Sequence, residues 1–176
     1  MSSPRSRNYY AYVQTKLSQT ASSSTAVTSS TTPEFEDCPH CLNLGGTIAR
    51  CGYNRKNYDE PKARDGERMP FVSQATYVEG REIDIETIIT AYHKGHFEFK
   101  ICVLSAPNEV PSQECFDKHP LMFVKDLLYK AGKDSVYPNR AYLAADRKRF
   151  VHRMKLPDGV FGKNVLLQWH WLTASK

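Results

Sequence analysis

From Glu82 to Cys102 the chain reads EIDIETIITAYHKGHFEFKIC, and apolar residues recur at every second position on both sides of a short break. Ile83, Ile85, Thr87 and Ile89 alternate with Asp84, Glu86 and Ile88. Beyond Tyr92-His93-Lys94-Gly95, the residues Phe97, Phe99 and Ile101 alternate with His96, Glu98, Lys100 and Cys102. A period of two belongs to strands, because successive Cβ atoms point to opposite faces of a sheet. One apolar and one polar face per strand fits an antiparallel sheet lying over a core. The stretch predicts two strands joined as a hairpin, with His93 displayed at a sheet edge on the turn. A metal ligand gains from such mounting, since strands on both sides fix the direction of its side chain.

Two later segments share the period. Phe150, His152, Met154 and Leu156 alternate with Val151, Arg153 and Lys155, and Pro157-Asp158-Gly159 is a turn signal. Val165, Leu167, Trp169 and Trp171 fall on one face of a further strand. Leu121 to Tyr129 has apolar residues at helix-like spacing and predicts one short helix. Strands, turns and little helix predict an all-β fold: an immunoglobulin-like (fibronectin-III-like) β-sandwich with long loops and that one short helix. Phe97, Phe99, Ile101, Ile83, Ile85, Leu167 and Trp169 are its expected core. With 176 residues, 40% of them hydrophobic, the chain can build one ordinary domain. Residues 18–36 form a Ser/Thr-rich low-complexity insertion, too polar to bury surface against its ordering entropy. It separates an N-terminal segment, 1–17, from the sandwich, 37–176.

The net charge of +5 is scattered, and Arg147-Lys148-Arg149 is its tightest run. This reads as a solvated face, with no nucleic acid as partner. No apolar run is long enough to cross a bilayer, and the N-terminus shows no signal-peptide core, so no membrane association is expected. Five cysteines fall into two groups. Cys102 and Cys115 flank a short loop and are read as a disulfide. A second bridge is expected within Cys38, Cys41 and Cys51, the odd residue being a free thiol or one whose partner is missing. The competing reading of the first group is zinc, since Cys38-x-x-Cys41 with His40 and Cys51 has a zinc-ribbon character; a full site would need a fourth ligand and usually a second paired motif.

Thr90-Ala91-Tyr92-His93-Lys94-Gly95-His96-Phe97-Glu98-Phe99-Lys100-Ile101-Cys102 also carries a family likeness. It resembles the chitin-binding type-4 domain, the fold of the copper-dependent lytic polysaccharide monooxygenases, whose copper-ligating histidine lies in such a segment. Cys38-Pro39-His40-Cys41 with Cys51-Gly52 resembles the cysteine-rich region ahead of the first long strand. Ser112 to Asp117 with Pro120-Leu121 resembles the block after the histidine segment. Arg153 to Gly159 and Leu166-Leu167-Gln168-Trp169 resemble two blocks near the domain's end. The likeness runs from about Cys38 to Ala174 and is nearest to the insect-type and the algal or oomycete branches.

The resemblance implies a copper cofactor, a secreted monomer and a polysaccharide partner, chitin or cellulose-like. In that family copper sits in a brace made by the amino terminus, the imidazole of a first-residue histidine and a second imidazole. Such nitrogen donors suit copper. His93 matches the second imidazole. The opening Met1-Ser2-Ser3-Pro4-Arg5-Ser6-Arg7 resembles the segment just after the family's first histidine, so this chain is expected to lack that ligand, together with a later axial aromatic. Two readings then share the fold: a copper monooxygenase whose site is incomplete in this chain, and a non-catalytic carbohydrate-binding module. Tyr9, Tyr10, Tyr53 and Tyr58 lie in loop-like stretches and are the candidate sugar-stacking residues. Among the other histidines, His40 and His119 read as loop residues and His152 as facing the core, with His170 opposite Trp169 and Trp171. His96 reads as a solvated strand residue, or as a partner to His93 in a loose two-histidine site.

Overall fold

The computed structural model describes residues 3–4, 73–107, 109 and 111–174. Within them lie strands β1 (Glu82–Ile88), β2 (His96–Leu104), β3 (Met122–Asp126), β4 (Ala141–Tyr142), β5 (Arg149–Lys155) and β6 (Asn164–Leu172), and a helix α1 (Gln113–Asp117). They form two antiparallel three-stranded sheets, ordered β1-β5-β3 and β4-β2-β6. The inner faces meet in one core. Ile83 and Ile85 of β1, Phe150 and Met154 of β5 and Phe123 of β3 pack with Phe97, Phe99 and Ile101 of β2. Phe97 spans the gap, its ring edge-on to Phe150 at 5.9 Å and to Trp169 at 5.2 Å. This is the expected all-β sandwich, and it follows from two apolar strand faces that neither sheet can cover alone. Leu167 and Trp169 line the core but are only half-buried, because β6 exposes part of both its faces.

Three expectations are corrected. β1 and β2 do not form a hairpin. β1 pairs with β5 and β2 with β6, each in a different sheet, so residues 89–95 are a crossing between sheets. Alternation fixes which face of a strand is apolar but does not name its neighbour. His93 therefore lies on that crossing and not at a hairpin edge. The predicted helix over Leu121–Tyr129 is instead strand β3 and the loop after it. A bulge between Phe123 and Lys125 adds one residue to the strand, so the inward positions become Phe123 and Asp126. That spacing of three imitates a helix. The short helix occurs earlier, at α1, where the Ser112 hydroxyl accepts the Cys115 N–H at 3.1 Å as an N-cap.

Cys102 and Cys115 are joined by a disulfide, Cα atoms 5.2 Å apart, which ties α1 to the outer face of β2. Beside it Gln113 and Gln168 exchange amide hydrogen bonds of 2.9 and 3.2 Å, seating the helix on β6. Cys38, Cys41, Cys51, His40 and the tyrosines Tyr9, Tyr10, Tyr53 and Tyr58 lie outside the described residues, as does the Ser/Thr-rich insertion.

Candidate functional site

The crossing Ile89–Gly95 is held at Ile89 and from Tyr92 to Gly95. The Ile89 N–H donates to the Lys148 carbonyl at 2.8 Å, and the Tyr92 hydroxyl donates to the Leu143 carbonyl at 3.1 Å. The His93 carbonyl accepts the Ala174 N–H at 3.0 Å, and the Lys94 carbonyl accepts the Trp171 indole N–H at 2.9 Å. The Gly95 carbonyl accepts the Leu143 N–H at 3.1 Å. Lys94 and Gly95 both take the left-handed conformation, with φ of 55° and 82°. For Lys94 that costs energy, so the surrounding bonds must offset it. At Gly95 a side chain would run into the Leu172 carbonyl oxygen, so only glycine fits. The backbone under His93 is thereby fixed from two sheets at once.

The His93 imidazole lies against Trp171, ring centres 5.8 Å apart at a tilt of 39°. Trp171 thus does two things, holding the Lys94 carbonyl and flanking the imidazole. Sequence reading placed it on the same face as the core-lining Leu167 and Trp169, and missed this role. The available signal was its position near the end of a strand, where the core thins. On the other side, Ser3 makes an isolated antiparallel bridge to Glu86 of β1: Glu86 N–H to Ser3 carbonyl at 2.9 Å and Ser3 N–H to Glu86 carbonyl at 3.3 Å. Because the pairing is antiparallel, the N-terminal direction at Ser3 is the direction in which β1 runs to Ile88 and on toward His93. The sequence motif and the docked N-terminal residues thus converge on one end of the sandwich.

The outer face of β2 beside this crossing is a charged lattice. Glu98 lies 3.4 Å from His96, 3.7 Å from Arg140 and 3.8 Å from Lys100, and Lys100 donates to Asp117 at 2.6 Å. His170 is the residue directly across from Glu98 in the β2–β6 pair. Burial holds the His96 imidazole below its ordinary pKa, with Arg140 adding to the effect and Glu98 opposing it. His170 is lowered for the same first reason. His96, whose side chain is only 12% exposed and lies against Tyr142, is a half-buried member of this lattice rather than a solvated strand residue. His119 follows the C-cap Lys118 of α1, its N–H donating to the Phe116 carbonyl at 3.0 Å, and His152 is wholly buried.

The fit of this arrangement to copper rests on its donors. His93 offers an imidazole on a rigid crossing, a good donor for that metal. Among the described residues no group of three His, Cys, Asp or Glu side chains is placed to hold a metal ion. The described residues thus supply one imidazole at this place, and the chain at Ser3 runs antiparallel to β1 on the same sheet.

A family model described as lytic polysaccharide mono-oxygenase, cellulose-degrading, matches residues 1–176. Among solved structures, the chain is similar to the lytic polysaccharide monooxygenase AA15 from Thermobia domestica in the Cu(I) state. The two share 23% identity with a TM-score of 0.63, over 98% of this chain and 82% of that one. At that identity the likeness is one of fold. No curated protein matches the chain.

Proposed function

Because the chain belongs to the lytic polysaccharide mono-oxygenase family, we propose that it is a copper-dependent domain of the chitin-binding type-4 kind, acting outside the cell as a monomer on a β-linked polysaccharide. The observation that carries this is the placement of His93. It sits on a doubly anchored crossing, beside Trp171, beyond the end of β1 that follows the Ser3–Glu86 bridge. His93 would hold the metal through its imidazole, and the remaining nitrogen donors would come from a histidine at a free amino terminus. Copper, when bound, supplies the oxygen activation that glycosidic C–H oxidation needs.

The chain's own residues do the positioning. The bonds from Trp171, Ala174 and Leu143 keep the His93 backbone from drifting when substrate arrives. The Trp171 ring flanks the imidazole at 5.8 Å and leaves His93 exposed. Precise placement matters, since a displaced ligand of about 1 Å degrades such sites. Chitin is the first substrate to test, from the likeness in the histidine segment, and cellulose the second, from the description of the family.

The test uses the chain with Met1→His at a free amino terminus, with and without His93→Ala. Cu(II) affinity by calorimetry and the spin-resonance spectrum of the bound ion are the primary readouts. Oxidised oligosaccharides released from chitin and from cellulose with a reductant are the secondary one. The expected result is that His93→Ala weakens copper at least tenfold and abolishes oxidised products. Equal copper affinity without His93 would remove the assignment. Glycan binding without His93-dependent copper binding would establish a carbohydrate-binding module instead.

A further inference from the structure

We propose that the depression between residues 131–135 and β4 is a subsite for one pyranose ring of the polysaccharide; this rests on the function proposed above and adds a second contact to it. The depression has a volume of about 500 Å³, within the range of small-ligand sites. Small residues, Ala131, Gly132 and Ala144, and the aromatic Tyr142 are among its lining. Lys133, Asp134 and Ser135 bring a cation, an anion and a hydroxyl to the same rim. One charge of each sign beside an aromatic ring suits a neutral polyhydroxyl ring better than an ion. The apolar C–H face of a pyranose packs on the aromatic surface while its hydroxyls both donate and accept.

One polar group of this lining, the Asp134 carboxylate, is pre-positioned. Asp134 Oδ1 accepts the N–H groups of Val136 and Tyr137 at 2.8 and 3.0 Å, and Oδ2 accepts the Tyr142 hydroxyl at 2.8 Å. Each carboxylate oxygen can accept two bonds, so Oδ2 keeps capacity for a sugar hydroxyl. The same donors, the Tyr137 N–H first, hold the Asp134 carboxyl below the ordinary carboxylate range and keep it charged. A side chain added at Gly132 would meet nothing within 4 Å, so the space above it is open. Its φ is outside the left-handed region.

The depression also adjoins the crossing that carries His93. Tyr142 is paired directly with His96, and the next residue, Leu143, binds Gly95 through its N–H and Tyr92 through its carbonyl. A glycan chain lying over His93 can therefore extend one of its rings into this hollow, which would set the register of the chain on the protein.

Two measurements test this. Chitohexaose and cellohexaose are titrated into the wild-type chain while backbone amide shifts are followed. The affinity of Gly132→Phe, which fills the hollow, is then measured, with circular dichroism and the thermal midpoint confirming that the variant folds. The expected result is saturable shifts at Gly132, Ser135 and Ala144 with one of the two sugars, and at least a tenfold weaker Kd for Gly132→Phe. Shifts confined to residues near His93, with residues 131–144 silent, would overturn the subsite and leave the proposed function standing. So would an unchanged Kd in a folded Gly132→Phe. Absence of shifts anywhere with both sugars at millimolar concentration would overturn subsite and proposed function together.

Discussion

At the scale of single residues, the crossing depends on one side chain that is absent and one that is large. Gly95 has φ of 82° beneath the Leu172 carbonyl, so Gly95→Ala meets both a conformational penalty and a clash with backbone. We expect a loss of at least about 2 kcal/mol in denaturant unfolding, in line with strained or overpacked positions. Gly132→Ala, in open space, should change stability by under about 1 kcal/mol and is the matched control. Trp171→Phe keeps an aromatic ring beside His93 but deletes the donor to the Lys94 carbonyl. Its expected stability cost is about 1 kcal/mol, the ordinary net worth of one such bond. Because the crossing is then less constrained, the exchange protection of the Ala174 amide should fall as well, which proton exchange would report. Protection equal to wild type would show that the indole bond does not hold the crossing.

At the scale of elements, α1 is five residues long and too short to be stable alone, so its order must come from what fastens it. The Cys102–Cys115 bridge closes a loop of sequence separation 13. The chain-entropy model gives such a loop a stabilisation of about 3 kcal/mol. The double variant Cys102→Ala/Cys115→Ala should lose about that much in equilibrium unfolding; a loss below about 1 kcal/mol would mean that the Gln113–Gln168 pair and the Ser112 cap hold α1 by themselves. These elements also show what could be read from the residues and what could not. The faces of β1, β2 and β5 were legible because one side of each is buried and the other wet, which writes a period of two into the sequence. Their partners were not, since any apolar face can pack on any other. β3 was illegible because its bulge breaks the period that identifies a strand. Of the candidate site, His93 was legible through a motif. Trp171, Leu143 and Gly95 were not, because their work is done by contacts to backbone groups far away in sequence, which no local pattern records.

At the scale of the whole molecule, the two sheets meet on a titratable group. His152 of β5 is fully buried, stacked on Phe150 at 6.0 Å with 12° between planes, and edge-on to Phe97 and Phe123 at 5.7 and 5.9 Å. Neither ring nitrogen has a well-formed hydrogen bond. Burial pushes its pKa down to about 4, while the Asp126 charge and the Tyr142 backbone pull more weakly the other way. In the unfolded chain the same imidazole titrates near 6.5. Above 6.5 both states are neutral there and nothing is lost. Between 6.5 and 4 the unfolded chain binds a proton that the native chain refuses, so stability falls as pH falls through this window. The full loss is about 3 kcal/mol, the free-energy equivalent of moving the imidazole pKa from 6.5 to about 4. His96 and His170, also lowered by burial, act with the same sign, whereas Asp84, lowered first by its hydrogen bond from Arg153, loses its contribution only below the carboxylate range. His152→Leu should therefore flatten the stability curve between pH 6.5 and 4 without abolishing its slope, and leave the acid limb unchanged. The measurement is denaturant unfolding at half-unit pH steps for both proteins. A difference curve that is flat across that window would show that the native core accepts the proton, and that the sheets part enough to let water reach His152.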